Sequence, residues 1–323
     1  MKWFSFLLLW AISCFVKEGH DVKEWQFGSD VPLKIVKSTP ELNQLVSPDV
    51  KLVRLATGFR FTEGPSFAPD GTLIFSDIPA NRIYRILPNG KVEIFREPSG
   101  GANGNTIDPQ GRLLTCEGFV NKRVTRTDLK SGKVEVIASE YEGKPLNQPN
   151  DIIATKDGRV YFTDPVFGDP KFKTQQIEGI YLVKPNRTLI RVVADEHNQP
   201  KPNGLALSPD GKWLYTTDSQ RNVVRAYEVK PDGTLSEGRD LAKMEGKDGA
   251  GDGMRIDEKG NIWATGPDGI WIFAPNGKLI GMLQLPEVPA NLCFGGPDGK
   301  HLFITARTSV YLLKVEITGA RYW

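Results

Sequence analysis

The chain has 323 residues, with 41 Lys and Arg against 39 Asp and Glu, 39% hydrophobic residues and 25% charged ones. That apolar content excludes a disordered chain, and the balanced charge, with basic residues scattered in short runs, excludes a nucleic-acid or anionic-membrane surface. The 33 Gly and 23 Pro are too aperiodic for collagen and suit a chain of many short strands.

The N-terminus reads as a targeting segment. Lys2 precedes an uncharged stretch over residues 3–16, followed by Lys17, Glu18 and His20, the pattern of a signal peptide assigned to residues 1–20. The stretch is too short for an integral membrane span. Ala11 and Ser13 stand at the −3 and −1 positions of a cut before Cys14, and Ala-Ile-Ser-Cys also resembles a lipoprotein box, which makes Cys14 a candidate lipid anchor. The expectation is an exported protein, periplasmic or secreted. Without the leader only Cys116 and Cys293 remain, too few for a disulfide framework. Residues 21–49 read as a lead-in and residues 50–323 as one folded domain.

Internal repeats decide the fold. Six segments begin at Glu63, Asn103, Asn150, Asn203, Asp252 and Asn291, and in each a glycine falls eight positions later: Gly71, Gly111, Gly158, Gly211, Gly260 and Gly299. The intervals of 40, 47, 53, 49 and 39 residues fit the period of a four-stranded propeller blade. Within a repeat, a turn carrying this glycine leads to a β-branched or aromatic run such as residues 160–162, 213–215 or 302–304. A third strand follows, as over 82–86, 179–183 and 269–273, then a second turn and a fourth strand, as over 91–95 and 133–137. The sixth repeat ends after its third strand, over 309–317, so residues 50–56 are expected to supply its outer strand. The fold class is therefore all-β, a six-bladed β-propeller closed by an N-terminal strand joining the last blade.

In a propeller the residue opening each innermost strand faces the central axis. All six of these leading residues bring a side-chain oxygen acceptor. Converging oxygens with two formal charges suit a hard divalent cation, calcium foremost; Mg2+ and Mn2+ are less suited, and Zn2+ is disfavoured because no His or Cys leads a repeat. The same lack of histidine leaves a Ser-His-Asp triad without a base. His301, Asp77, Asp164, Asp218 and the tryptophans 213, 263 and 271 read as structural residues of strands and strand ends.

Several short motifs resemble one family. Thr62-Glu63-Gly64-Pro65, Cys116-Glu117, Asn147-Gln148-Pro149-Asn150-Asp151, Tyr161-Phe162-Thr163-Asp164-Pro165, Pro202-Asn203-Gly204, Asp252-Gly253-Met254 and Ala290-Asn291-Leu292 occur in the order seen in the gluconolactonase/regucalcin (senescence marker protein) family, most like its gluconolactonase branch. The resemblance implies a six-bladed propeller that opens sugar lactones, with Glu63, Asn150, Asn203 and Asp252 around one divalent cation and Asp252 as the base. It implies a small-molecule lactone as partner, with Asn103, Glu117, Asn150 and Asn291 as candidate substrate contacts. Two departures touch substrate preference. Gln148 stands where regucalcin-type members carry a substrate-binding arginine, and the loop after Glu117 lacks the branch's histidine. Two rivals share the framework: phosphotriester or aryl-ester hydrolysis on the same metal, and a binding propeller whose metal is structural.

Overall fold

The computed structural model describes residues 25, 27–195, 197–198 and 200–320. The leader, with Cys14 and His20, lies outside the described residues. Six antiparallel sheets stand around a central axis, each beginning with its innermost strand. Blade one is built from Thr62–Phe67, Leu73–Asp77, Arg82–Ile86 and Val92–Arg96. Blade two uses Asn105–Ile107, Leu113–Glu117, Arg123–Thr127 and Val134–Ala138; blade three uses Ile152–Ala154, Val160–Asp164, Gly179–Val183 and Leu189–Val193. Blade four comprises Pro202–Leu207, Trp213–Asp218, Val223–Glu228 and Arg239–Lys243, and blade five Met254–Ile256, Ile262–Gly266, Gly269–Phe273 and Leu279–Gln284.

Blade six closes the ring as the sequence implies. Pro289–Gly295, His301–Ala306 and Ser309–Lys314 are followed outward by Leu52–Thr57, with Ser309 opposite Thr57 and Leu313 opposite Leu52. Leu52 is wholly buried in this position, a contribution of about 2 kcal/mol to closure. The lead-in also belongs to the sheets: Lys34–Ser38 adds a fifth strand to blade five and Ser29–Val31 a fifth to blade six. Both additions cover edges that would otherwise present unpaired backbone groups.

Local chemistry explains the regularity. The six turn glycines all have φ between +69° and +85°, a region that side chains with a Cβ rarely adopt, which is why glycine recurs at one place per blade. The second and third strands, such as Leu73–Asp77 and Gly269–Phe273, are buried on both faces between neighbouring blades. Trp263 and Trp271 sit in these inter-blade cores, Trp263 edge-on to Phe294 with ring centroids 5.7 Å apart. Trp213 is half-buried beneath Arg239. Cys116 and Cys293 are free and buried, and among the described residues no helix is long and apolar enough to cross a membrane.

Candidate active site

Three leading residues, and the neighbour of a fourth, are held by a hydroxyl of the blade before them. Ser76 Oγ donates to the Asn103 carbonyl at 2.7 Å, Thr163 Oγ1 to that of Asn203 at 2.8 Å, Thr217 Oγ1 to that of Asp252 at 2.5 Å, and Thr265 Oγ1 to that of Ala290, next to Asn291, at 2.7 Å. These hydroxyls sit near the ends of second strands and stitch the blades into a ring around the axis. The aspartates at second-strand ends act from outside that ring, as expected of them. Asp77 accepts from the backbone N–H groups of Arg60 and Phe61, Asp164 from Asn147, and Asp218 from Gln220 and Arg221. They thereby fix the loops that deliver the leading side chains.

Close packing completes the ring. Glycine follows the leading residue in four blades, and at Gly204 an added Cβ would lie 2.2 Å from the Asp252 carbonyl oxygen. Only a residue with no side chain lets adjacent inner strands approach this closely.

Glu63, Asn103, Asn150, Asn203 and Asn291 are buried, while Asp252 keeps some exposure along the axis. Glu63 Oε2 accepts from Asn291 Nδ2 at 3.0 Å and from the Gly64 backbone N–H. Burial, with the negative charge of Asp151 added, pushes the Glu63 carboxyl up to about 7. Burial, then the charges of Glu63 and Asp151, hold Asp252 well above the usual carboxylate range, against an opposing hydrogen bond from Asn203. Two mutually destabilised carboxylates in one enclosure call for a positive charge.

The amides supply acceptors beside them. Asn203 Nδ2 donates to Ser219 Oγ at 2.9 Å, and Ser219 in turn donates to the Gly251 carbonyl at 2.6 Å. Ser219 must therefore accept from Asn203, which points Asn203 Oδ1 the other way. That oxygen and Asn103 Oδ1 are buried with no hydrogen-bond donor. Buried acceptors without donors, that of Asn203 beside the Asp252 carboxylate, fit a hard cation. Among the described residues, no three His, Cys, Asp or Glu side chains gather as a metal cluster. The donor set is instead mixed, carboxylate with carboxamide.

Four further residues have side-chain partners of their own. Glu117 is buried, but its oxygens are engaged by Arg96 Nη2 at 2.8 Å, Thr125 Oγ1 at 2.9 Å, and Arg123 Nε and Asn121 Nδ2, both at 2.6 Å. It organises two arginines around itself. Gln148 accepts the Phe167 N–H at 2.6 Å and so tethers the long loop after Asp164. His301 pairs with Asp298 at 3.1 Å, a strand histidine away from the leading positions. Arg307, exposed, pairs with Asp248.

Two residues of the channel escaped sequence reasoning. Asp151 is fully buried with Oδ2 facing Arg255 Nη1 at 3.5 Å. The available signal was the broken pattern after the leading residue, where blade three has Asp151 in place of the glycine found at 64, 104, 204 and 253.

Comparison with known proteins places the chain in a family. Residues 61–308 match the SMP-30/Gluconolactonase/LRE-like region family. The gluconolactonase of Zymomonas mobilis is 32% identical over 88% of this chain and 87% of its own length. Regucalcin of Xenopus laevis is 28% identical over 73% of this chain and 79% of its own. The structure of a gluconolactonase from Xanthomonas campestris superposes with a TM-score of 0.80 at 30% identity, covering 89% of this chain and 97% of that one. The chain belongs to the SMP-30/gluconolactonase/LRE-like family.

Proposed function

We propose that this protein is a gluconolactonase-like carboxylic ester hydrolase that opens a sugar lactone at the axial site, with a divalent cation held by Glu63, Asn150, Asn203 and Asp252. The observation that carries the reading is the pairing of the buried Glu63 and the half-buried Asp252 carboxylates with a donorless Asn203 Oδ1, in a chain whose relatives include named gluconolactonases. Calcium suits this set best because it accepts neutral carbonyl oxygens alongside carboxylates. When bound, the cation supplies Lewis acidity that polarises the lactone carbonyl.

The chain's own residues account for the remaining work. Asp252 takes a proton from the attacking water as its oxygen adds to the carbonyl carbon. The ring C–O bond then breaks, and the departing oxygen takes up the proton held by Asp252, giving the open hydroxy acid and restoring the carboxylate. Asn103 and Asn150 present amides that orient the sugar hydroxyls, Asn291 holds Glu63 through its Nδ2, and the enclosure lowers the dielectric around the developing charge. The leader over residues 1–20 supports export of the enzyme.

Proton release during ring opening of a panel of aldonolactones tests the reading. The wild type is expected to be active, inactive with chelator and restored by Ca2+. Asp252→Asn and Glu63→Gln are each expected to lose roughly 100-fold or more. A wild type that binds the cation yet leaves every lactone intact overturns the assignment.

A further inference from the structure

The axial site has a second charged layer beneath its acceptors. Asp151 is the one charged residue that follows a leading position, and the ring is tight there: a Cβ at Gly104 would lie 2.8 Å from Asp151 Oδ1. Oδ1 accepts the Ile152 N–H at 2.9 Å, and Oδ2 lies 3.5 Å from the Arg255 guanidinium, with the Leu205 backbone N–H and the Asn291 side chain also against the carboxylate. Asn291 links this layer to the acceptors, because its side chain hydrogen-bonds both Glu63 and Asp151.

Arg255 comes from the other end of the channel. It stands three residues beyond Asp252 on the innermost strand of blade five, about 10 Å further along the axis. There it lines a cavity of about 360 Å³ together with Pro65, Thr106, Ile153 and Cys293. Its side chain is 11% exposed and also donates to the Met254 carbonyl at 2.6 Å.

We propose that Asp151 and Arg255 form a charged floor that sets the cation affinity and the valence preference of the site. With a divalent ion bound and all three carboxyls ionised, Glu63, Asp151, Asp252 and Arg255 together carry a formal charge of −2, which the ion neutralises. Removing Arg255 leaves −3 and favours a trivalent ion; removing the Asp151 charge leaves −1 and weakens any divalent one. The two residues act through charge on the acceptors above them and are positioning residues. An unpaired buried Asp151 would be strongly unfavourable, which is why the pair occurs together. The inference rests on the cation reading proposed above.

Calorimetric titration of the full chain with Ca2+ and with La3+ tests it without recourse to turnover. Asp151→Asn is expected to weaken Ca2+ binding roughly tenfold or more, and Arg255→Gln to tighten binding and shift preference towards La3+ by a similar factor. The double variant, again at −2, is expected to return to wild-type affinity and preference. Should Arg255→Gln not fold, the comparison of Asp151→Asn with the double variant decides, the double binding Ca2+ roughly tenfold more tightly. Equal affinities in those two proteins overturn the floor while leaving the cation reading intact. A wild type that binds neither ion overturns both.

Discussion

Asn203 Nδ2 donates to Ser219 Oγ at 2.9 Å, and this bond, with the hydrogen bond from Asn203 to Asp252, orients the Asn203 amide. The serine is itself committed to the Gly251 carbonyl, so it has only a lone pair to offer. Removing the hydroxyl in Ser219→Ala leaves the amide freer to rotate and to present its NH2 to a cation. Calorimetry is expected to show Ca2+ binding weakened about tenfold, as for other residues that orient a metal ligand, with the fold retained by circular dichroism. Unchanged affinity would mean that Asn203 is oriented by other contacts.

Close packing at Gly204 makes a different prediction. A methyl group there collides with the carbonyl of Asp252 and must displace the inner strand of blade five. Gly204→Ala is expected to lower stability by roughly 1–3 kcal/mol and to cost activity beyond that loss, since the displaced residue is the proposed base. Urea unfolding alongside lactone turnover separates the two effects.

Glu117 offers a test of role. Its carboxylate is enclosed by Arg96, Asn121, Arg123 and Thr125, and Arg96 is only 16% exposed. Neutralising it in Glu117→Gln leaves a buried guanidinium without its counter-charge, at a cost of about 3–5 kcal/mol. Turnover per folded molecule is expected to change little. A stable variant with KM raised many-fold would instead assign Glu117 to the substrate.

Asp164 predicts a pH dependence. Burial pushes its carboxyl up to about 8, against the backbone N–H groups of Asn147 and Gln148 and the charge of Lys122, with Glu178 adding to the rise. A carboxyl raised on folding binds its proton more tightly in the native state. Its stabilising contribution is thus complete below the unfolded value of 3.8 and declines as pH climbs towards about 8. Asp164→Asn mimics the protonated form and still accepts the Asn147 N–H. Relative to wild type it is expected to gain stability on the order of 2 kcal/mol between pH 5 and pH 8. Parallel melting curves for the two proteins across that range would refute this assignment.

The sequence by itself determined the six blades, their turns and the ring of leading acceptors, because each of these is a local pattern repeated along the chain. A glycine in left-handed conformation, an alternating strand and an Asn or Asp opening it all have causes within about a dozen residues. The closing strand was legible for a related reason: the last repeat lacked one. Tertiary structure alone decided how those acceptors are charged and aimed. Glu63 meets Asn291 across 228 positions, Asp151 meets Arg255 from another blade, and strands over 29–31 and 34–38 join sheets begun far away. Such pairings depend on which blade lies beside which and how far each side chain reaches across the axis. Glu117 straddles the boundary: Asn121, Arg123 and Thr125 reach its oxygens from the same hairpin, while Arg96 comes from the blade before.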